Sequence, residues 1–207
     1  YNSKKDVFVL ACINSENTRQ IIYELDPRTF DIVGTYKFHD ASVLAHMNTL
    51  TYNPNTNLLY TTNAMVDGHR ITTIDADTMS IGNTITISER VFNLAYDKKT
   101  NQFMSIVPID ATMRRINYYT SQFQLVQSKD IDANYDDYNN NGAFANDGKT
   151  IFATLSTVIT VDKTGNVTKI ASFPKNLEIE DMDMRHNIMY AAVNSNHKVF
   201  IYTMLNY

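Results

Sequence analysis

Two glutamates separated by one residue, Glu178 and Glu180, are the pair in this sequence best suited to acid and base chemistry. Neighbouring carboxylates can divide the work of protonating a leaving group and activating water at a glycosidic bond. On an extended strand, residues two apart project to one face, so both carboxylates could look onto one site. A second acidic stretch, Asp130-Ile131-Asp132-Ala133-Asn134-Tyr135-Asp136-Asp137, offers oxygen ligands of the kind calcium takes. It has neither the central glycine nor the distal glutamate of a calcium-binding loop, and no metal is expected. The histidines at 39, 46, 69, 186 and 197 fall in no HExxH or comparable zinc spacing, and neither a GxSxG elbow nor a glycine-rich phosphate loop occurs. The single cysteine, Cys12, lies in the apolar run Val7 to Ile13 with no partner for a disulfide or a thiolate metal site. No cofactor is expected, and no residue is assigned a catalytic role.

The elements that must hold these residues repeat. An apolar strand, a polar turn and a second strand recur along the whole chain. Leu50-Thr51-Tyr52-Asn53-Pro54-Asn55-Thr56-Asn57-Leu58-Leu59-Tyr60 matches Leu94-Ala95-Tyr96-Asp97-Lys98-Lys99-Thr100-Asn101-Gln102-Phe103-Met104 without a gap. The same frame fits Ala143 to Phe152, Met182 to Tyr190 with a shorter turn, and Tyr1 to Val9. With Tyr1, Tyr52, Tyr96, Ala145 and Met184 as equivalent positions, the spacings are 51, 44, 49 and 39. That is close to the period of propeller blades, roughly 40 to 50 residues.

Each copy carries a second hairpin whose turn reads Asp26-Pro27-Arg28-Thr29, Asp75-Ala76-Asp77-Thr78, Thr120-Ser121-Gln122 and Asp162-Lys163-Thr164-Gly165 in the first four. An Asp there can accept from the backbone two residues on. Four strands per copy, five copies, and no helical periodicity of any length predict an all-β fold: a five-bladed β-propeller of four-stranded antiparallel blades. A sandwich is the rival, but unrelated strands would not keep one turn register. The expected domain is 1–207, with blades near 1–45, 46–89, 90–138, 139–177 and 178–207. The first copy begins at the end of its strand A and the last stops before its strand D. The ring is therefore expected to be closed by flanking chain of a larger protein.

In such blades the A–B and C–D turns leave at one end, and the B–C loops and D–A connections at the other. The first set is short and stereotyped. The second varies in length and chemistry, which is where recognition sits on a rigid scaffold. Strand A is innermost, so the residues just ahead of it approach the axis: His46 and Asn48, Arg90 and Phe92, Asn139 and Asn141, Glu178 and Glu180, with Tyr135 and Tyr138 nearby. Amides and carboxylates there suit sugar hydroxyls, and Phe92, Tyr135 and Tyr138 offer rings to stack on sugar faces. A formal charge of −4 removes the whole-chain argument for nucleic acid or an anionic membrane, and no run of about 18 apolar residues is present for a membrane span.

The phrase His46-Met47-Asn48-Thr49-Leu50-Thr51-Tyr52-Asn53-Pro54-Asn55-Thr56-Asn57 resembles a phrase in extracellular propellers of low-GC Gram-positive bacteria and their phages. Most closely it resembles the five-bladed platform domain of staphylococcal-type phage receptor-binding proteins or tail fibres. The resemblance covers the repeat along the chain, while only the second copy keeps both the His and the Asn. It implies a virion or extracellular location, a homotrimer formed through flanking domains, and recognition of cell-wall teichoic acid and its sugars. The expected function is thus a binding module without catalysis for a cell-surface polysaccharide or teichoic acid. A glycan-degrading propeller and a ligand-free structural platform are the alternatives.

Overall fold

In the computed structural model, the described residues are 1–14, 16, 18–38, 41–44, 46–63, 68–110, 112–132, 140–146, 149–154, 156–162, 164–174, 176–196 and 198–204. They form five antiparallel sheets, each a meander of strands consecutive in sequence. The first sheet is β1 (Phe8–Ile13), β2 (Gln20–Leu25) and β3 (Ile32–Phe38). A single helical turn, α1 (Ala41–Leu44), precedes the second: β4 (Leu50–Asn53), β5 (Leu58–Thr62), β6 (Arg70–Asp75) and β7 (Ile81–Thr86). The third is β8 (Ala95–Asp97), β9 (Gln102–Pro108), β10 (Met113–Tyr119) and β11 (Leu125–Asp132). The fourth is β12 (Asn140–Asn146), β13 (Lys149–Thr154), β14 (Thr157–Val161) and β15 (Val167–Ser172). The fifth is β16 (Glu178–Arg185), β17 (Ile188–Ser195) and β18 (Lys198–Met204). The frame of the sequence repeat is therefore the frame of the sheets.

The chain divides into two units, Tyr1–Phe92 and Asn93–Tyr207. In the first, Ile22, Leu44, Leu59, Ile74 and Met79 form the core between the first and second sheets. In the second, Met104, Ile106, Ile116 and Ile159 form one core, and Val158, Ile179, Met189 and Val193 another. Burial falls across a sheet in chain order: β4 and β8 are largely buried, while β7 and β11 are largely exposed. Within the second unit, β12 packs against both β8 and β16, so the first strands of three successive sheets lie side by side.

The turns explain why the sequence repeat is so regular. Tyr52 donates its hydroxyl to Asn57 Oδ1 at 3.0 Å, and Tyr96 to Asn101 Oδ1 at 2.7 Å. Tyr1 bonds Asp6 in the same way. Asp6, Asn57 and Asn101 all have a left-handed backbone, which short polar side chains tolerate best. In the second hairpins, Asp26 Oδ1 accepts from the Arg28 amide, Asp75 Oδ1 from the Asp77 amide and Asp162 Oδ1 from the Thr164 amide, at 2.8, 3.0 and 2.8 Å.

These turns carry a pH signature. The Arg28 side chain and then its amide hold the Asp26 carboxyl down to about 2, and bonds led by the Thr164 hydroxyl hold Asp162 at about 2, against an ordinary 3.8. Both values are depressed in the folded state. Their stabilisation is thus complete above 3.8 and disappears as pH falls through about 2. Carboxyl NMR titration is expected to give midpoints near 2 for both residues; midpoints at the ordinary value would mean that the turn bonds do not persist in solution.

Candidate functional site

In the first unit, four of the residues expected at the binding end come from two adjoining connections. The turn after α1 brings His46 and Asn48 to the head of β4, with the Met47 amide donating to the Leu44 carbonyl at 3.1 Å. Partial burial pushes the His46 imidazole below its ordinary value, which favours the neutral ring at physiological pH. Arg90 and Phe92 follow β7. The Arg90 guanidinium lies 4.8 Å from the centre of the Phe92 ring, within cation–π range.

One buried residue joins the two connections. The Thr62 carbonyl accepts from the Asn48 amide at 3.0 Å, and the Thr62 hydroxyl donates to the Phe92 carbonyl at 3.2 Å. Gly68 supports Arg90 from beneath: its carbonyl accepts from the Val91 amide at 2.7 Å, and a Cβ built on it would stand 2.4 Å from Arg90 Cγ. The arginine stem therefore lies directly on the glycine backbone, which its left-handed φ of 67° favours.

A structural irregularity recurs near the start of the first strand, within one residue of the same repeat position. In the fifth sheet the pairing of β16 with β17 slips by one between Ile179 and Asp181, leaving Glu180 as the extra residue. In the fourth, β12 slips against β13 between Asn140 and Gly142, leaving Asn141. In the second, the Asn48 to Thr62 bond is one residue out of the register that pairs Leu50 with Thr61, leaving Thr49. Asn141 and Glu180 each precede the equivalent residue, Ala145 or Met184, by four, and the residue skipped in the second sheet, Thr49, precedes Tyr52 by three. Such bulges re-aim a side chain and loosen the ladder at the end of a strand. Here each carries a polar residue.

The bulge also changes the geometry of Glu178 and Glu180, because strict alternation no longer places both on one face. They remain close enough to interact. Burial first, and then the Glu178 charge, push the Glu180 carboxyl above its ordinary value, partly opposed by a hydrogen bond from Asn194. A raised folded-state value means that ionising Glu180 costs stability as pH rises through it, whereas below the ordinary 4.5 no cost remains. Glu180→Gln is expected to raise the melting temperature at neutral pH and to match the native protein in acid. Equal melting temperatures across the pH range would refute this.

Tyr135, Tyr138 and Asn139 lie outside the described residues, and Asn141 is located by its backbone in β12. From the acidic stretch, Asp130 is engaged by Arg115 through two bonds of 2.6 and 2.8 Å. Among the described residues no group of three or more His, Cys, Asp or Glu side chains could hold a metal ion, and no helix is long and apolar enough to cross a membrane. Thr62 and Gly68 were invisible as site residues in the sequence. A lone glycine between two β-rich runs was the only hint of the second.

No family model and no curated protein matches the sequence. Among solved structures the fold is similar to that of Kuenenia stuttgartiensis hydrazine synthase, at a TM-score of 0.53 and 12% identity over 92% of this chain and 75% of that one. It is also similar to the RRP9 WD40 repeats, at a TM-score of 0.50 and 12% identity over 95% of this chain and 65% of that one. The structure of U3-55K gives 0.50 and 12% over 96% and 66%. The chain thus spans just under two thirds of the length of the last two. WD40 repeats build propellers, so the likeness is to a propeller-type β fold.

Proposed function

We propose that the five sheets are the blades of a five-bladed propeller acting as a recognition module without catalysis, and that it binds a cell-surface glycan or teichoic acid. The binding end is the one at which the first strands begin. The observations that carry this reading are, in the second unit, the bulge that offers Asn141 and Glu180 at one repeat position and, in the first, Asn48 tied through Thr62 to the connection where Arg90 is mounted on Gly68 against Phe92. Amides, a carboxylate and a guanidinium on ladder-free backbone provide donors and acceptors for hydroxyls and phosphates. The location consistent with that ligand is extracellular or on a virion.

A second reading, a glycan-degrading enzyme, is favoured by one observation: Glu180 is held towards its protonated form beside Glu178, as a general acid requires. One experiment separates the two. Purified cell-wall polysaccharide is titrated into the protein while new reducing ends are assayed. Saturable binding without product is expected. Arg90→Ala with Asn141→Ala should weaken it more than tenfold, since a hydrogen bond to a charged group contributes roughly 1.5–3 kcal/mol. Asn55→Ala with Lys99→Ala, on turns at the opposite end of their sheets, should leave it unchanged. Release of reducing ends would replace the reading with the enzyme, and a larger effect from the opposite-end pair would overturn the choice of end.

A further inference from the structure

Beneath the Gly68 support, the layer between the first and second sheets of the first unit changes character along its length. Leu59 of β5 faces Ile22 of β2 in the apolar core. Successive residues of a strand alternate in direction, so Thr61 faces the same layer as Leu59. The Asn63 amide donates to the Arg70 carbonyl at 3.4 Å, in step with the pairing of Thr62 and Ile71, so the alternation continues and Asn63 faces that layer too. Thr61 is 1% exposed and Asn63 3%. Even so, Thr61 Oγ1, Asn63 Oδ1 and Asn63 Nδ2 reach no hydrogen-bond partner among the described residues.

The surroundings define what could satisfy them. Opposite Thr61 in the ladder, Thr72 donates its hydroxyl to the Val43 carbonyl at 3.2 Å, which roofs the layer with α1. Across the layer, Gln20 of β2 is wholly buried on the face of Ile22. The acidic group on that same face, Glu24, is at the far end of β2 and is held by Lys5 at 2.8 Å and Tyr36 at 3.0 Å. Thr61 and Asn63 therefore present hydroxyl and amide groups without a neighbouring carboxylate, a combination that favours neither a cation nor an anion. Native proteins satisfy buried polar groups of this kind with internal water, which both donates and accepts.

We propose that Thr61 and Asn63 form an internal binding site for water between the first two sheets, under α1. The site is independent of glycan recognition. Its water completes the hydrogen bonding of a polar layer that side chains alone leave open, and this explains how a fully buried asparagine is tolerated above an apolar core.

Deuterium relaxation dispersion of the solvent, which detects waters held long inside a protein, tests the proposal on the intact chain. The native protein is expected to show at least one such water more than the double variant Thr61→Val, Asn63→Leu, with the fold of the variant checked by circular dichroism. Equal counts in the two folded proteins would overturn the site. Should the variant fail to fold, high-resolution crystallography of the native chain decides instead. Water density within hydrogen-bonding distance of Thr61 Oγ1 and the Asn63 amide supports the proposal. A dry layer, a side chain filling it, or an organic molecule in it overturns the assignment to water.

Discussion

Truncating Phe103 to Ala is expected to destabilise the chain by about 3–5 kcal/mol, the range for removing a buried phenylalanine. Phe103 is fully buried and stacks 4.4 Å from Phe123, with the Tyr96 ring tilted against it at 5.0 Å. Tyr96, in the first strand of its sheet, bonds Asn101 in the first turn and Phe123 sits in the second hairpin turn, so this ring ties together both turns at one end of the third sheet. Phe123 has a left-handed backbone, φ 61°, which its burial must offset. Small domains carry roughly 5–15 kcal/mol in all. Urea denaturation should thus show a large drop in midpoint with the slope unchanged. Phe8→Ala, at the equivalent position of the first sheet, should cost less: its stack on Phe30 is looser, at 6.1 Å. An effect at Phe103 no larger than that at Phe8 would show that the trio does not organise the turns.

Gly68→Val is expected to combine a stability loss with a binding loss. A branched residue at φ 67° pays about 1–2 kcal/mol for the left-handed backbone. Its Cβ would also occupy the space of the Arg90 stem, 2.4 Å from Cγ, so Arg90 must leave its place over Phe92. Polysaccharide affinity should fall as far as in Arg90→Ala, more than tenfold, which corresponds to about 1.4 kcal/mol or more. In NMR spectra the Arg90 side-chain N–H should lose the ring-current shift imposed by Phe92. A folded Gly68→Val protein with native affinity and an unmoved Arg90 signal would remove both Gly68 and Arg90 from the site.

Much of the architecture is written in short-range patterns. The Tyr-to-Asx spacing of five residues, seen at Tyr52 and Asn57 and at Tyr96 and Asn101, is both a sequence repeat and a hydrogen bond within one turn. The same holds for Asp26, Asp75 and Asp162, whose bonds span two residues. Interactions this local depend on neighbours in the chain, so aligning the copies was enough to place the hairpins and the strand order.

The candidate site was legible only as a set of positions. That Asn141 and Glu180 are extra residues in their ladders depends on how β12 and β16 pair with β13 and β17, and a slip of one residue leaves no trace in the composition of either strand. The expectation that Glu178 and Glu180 share a face rested on unbroken alternation, which the bulge interrupts.

Burial is the other thing that the chain alone did not reveal. Arg114, in a strand rich in β-formers, is 1% exposed, with Nη1 donating to the Asp110 and Met113 carbonyls at 2.8 and 3.0 Å. His46 reads as a rim residue and is half-buried enough to lower its proton affinity. The sequence by itself determined the repeat, the turn chemistry and the strand order, because each is set by residues a few positions apart. The tertiary structure alone decided the bulges, the Thr62 link between Asn48 and Phe92, the seat of Arg90 on Gly68 and the buried amide of Asn63. Each of these depends on which strand or loop faces which, and that pairing is settled only when distant segments exclude water from one another.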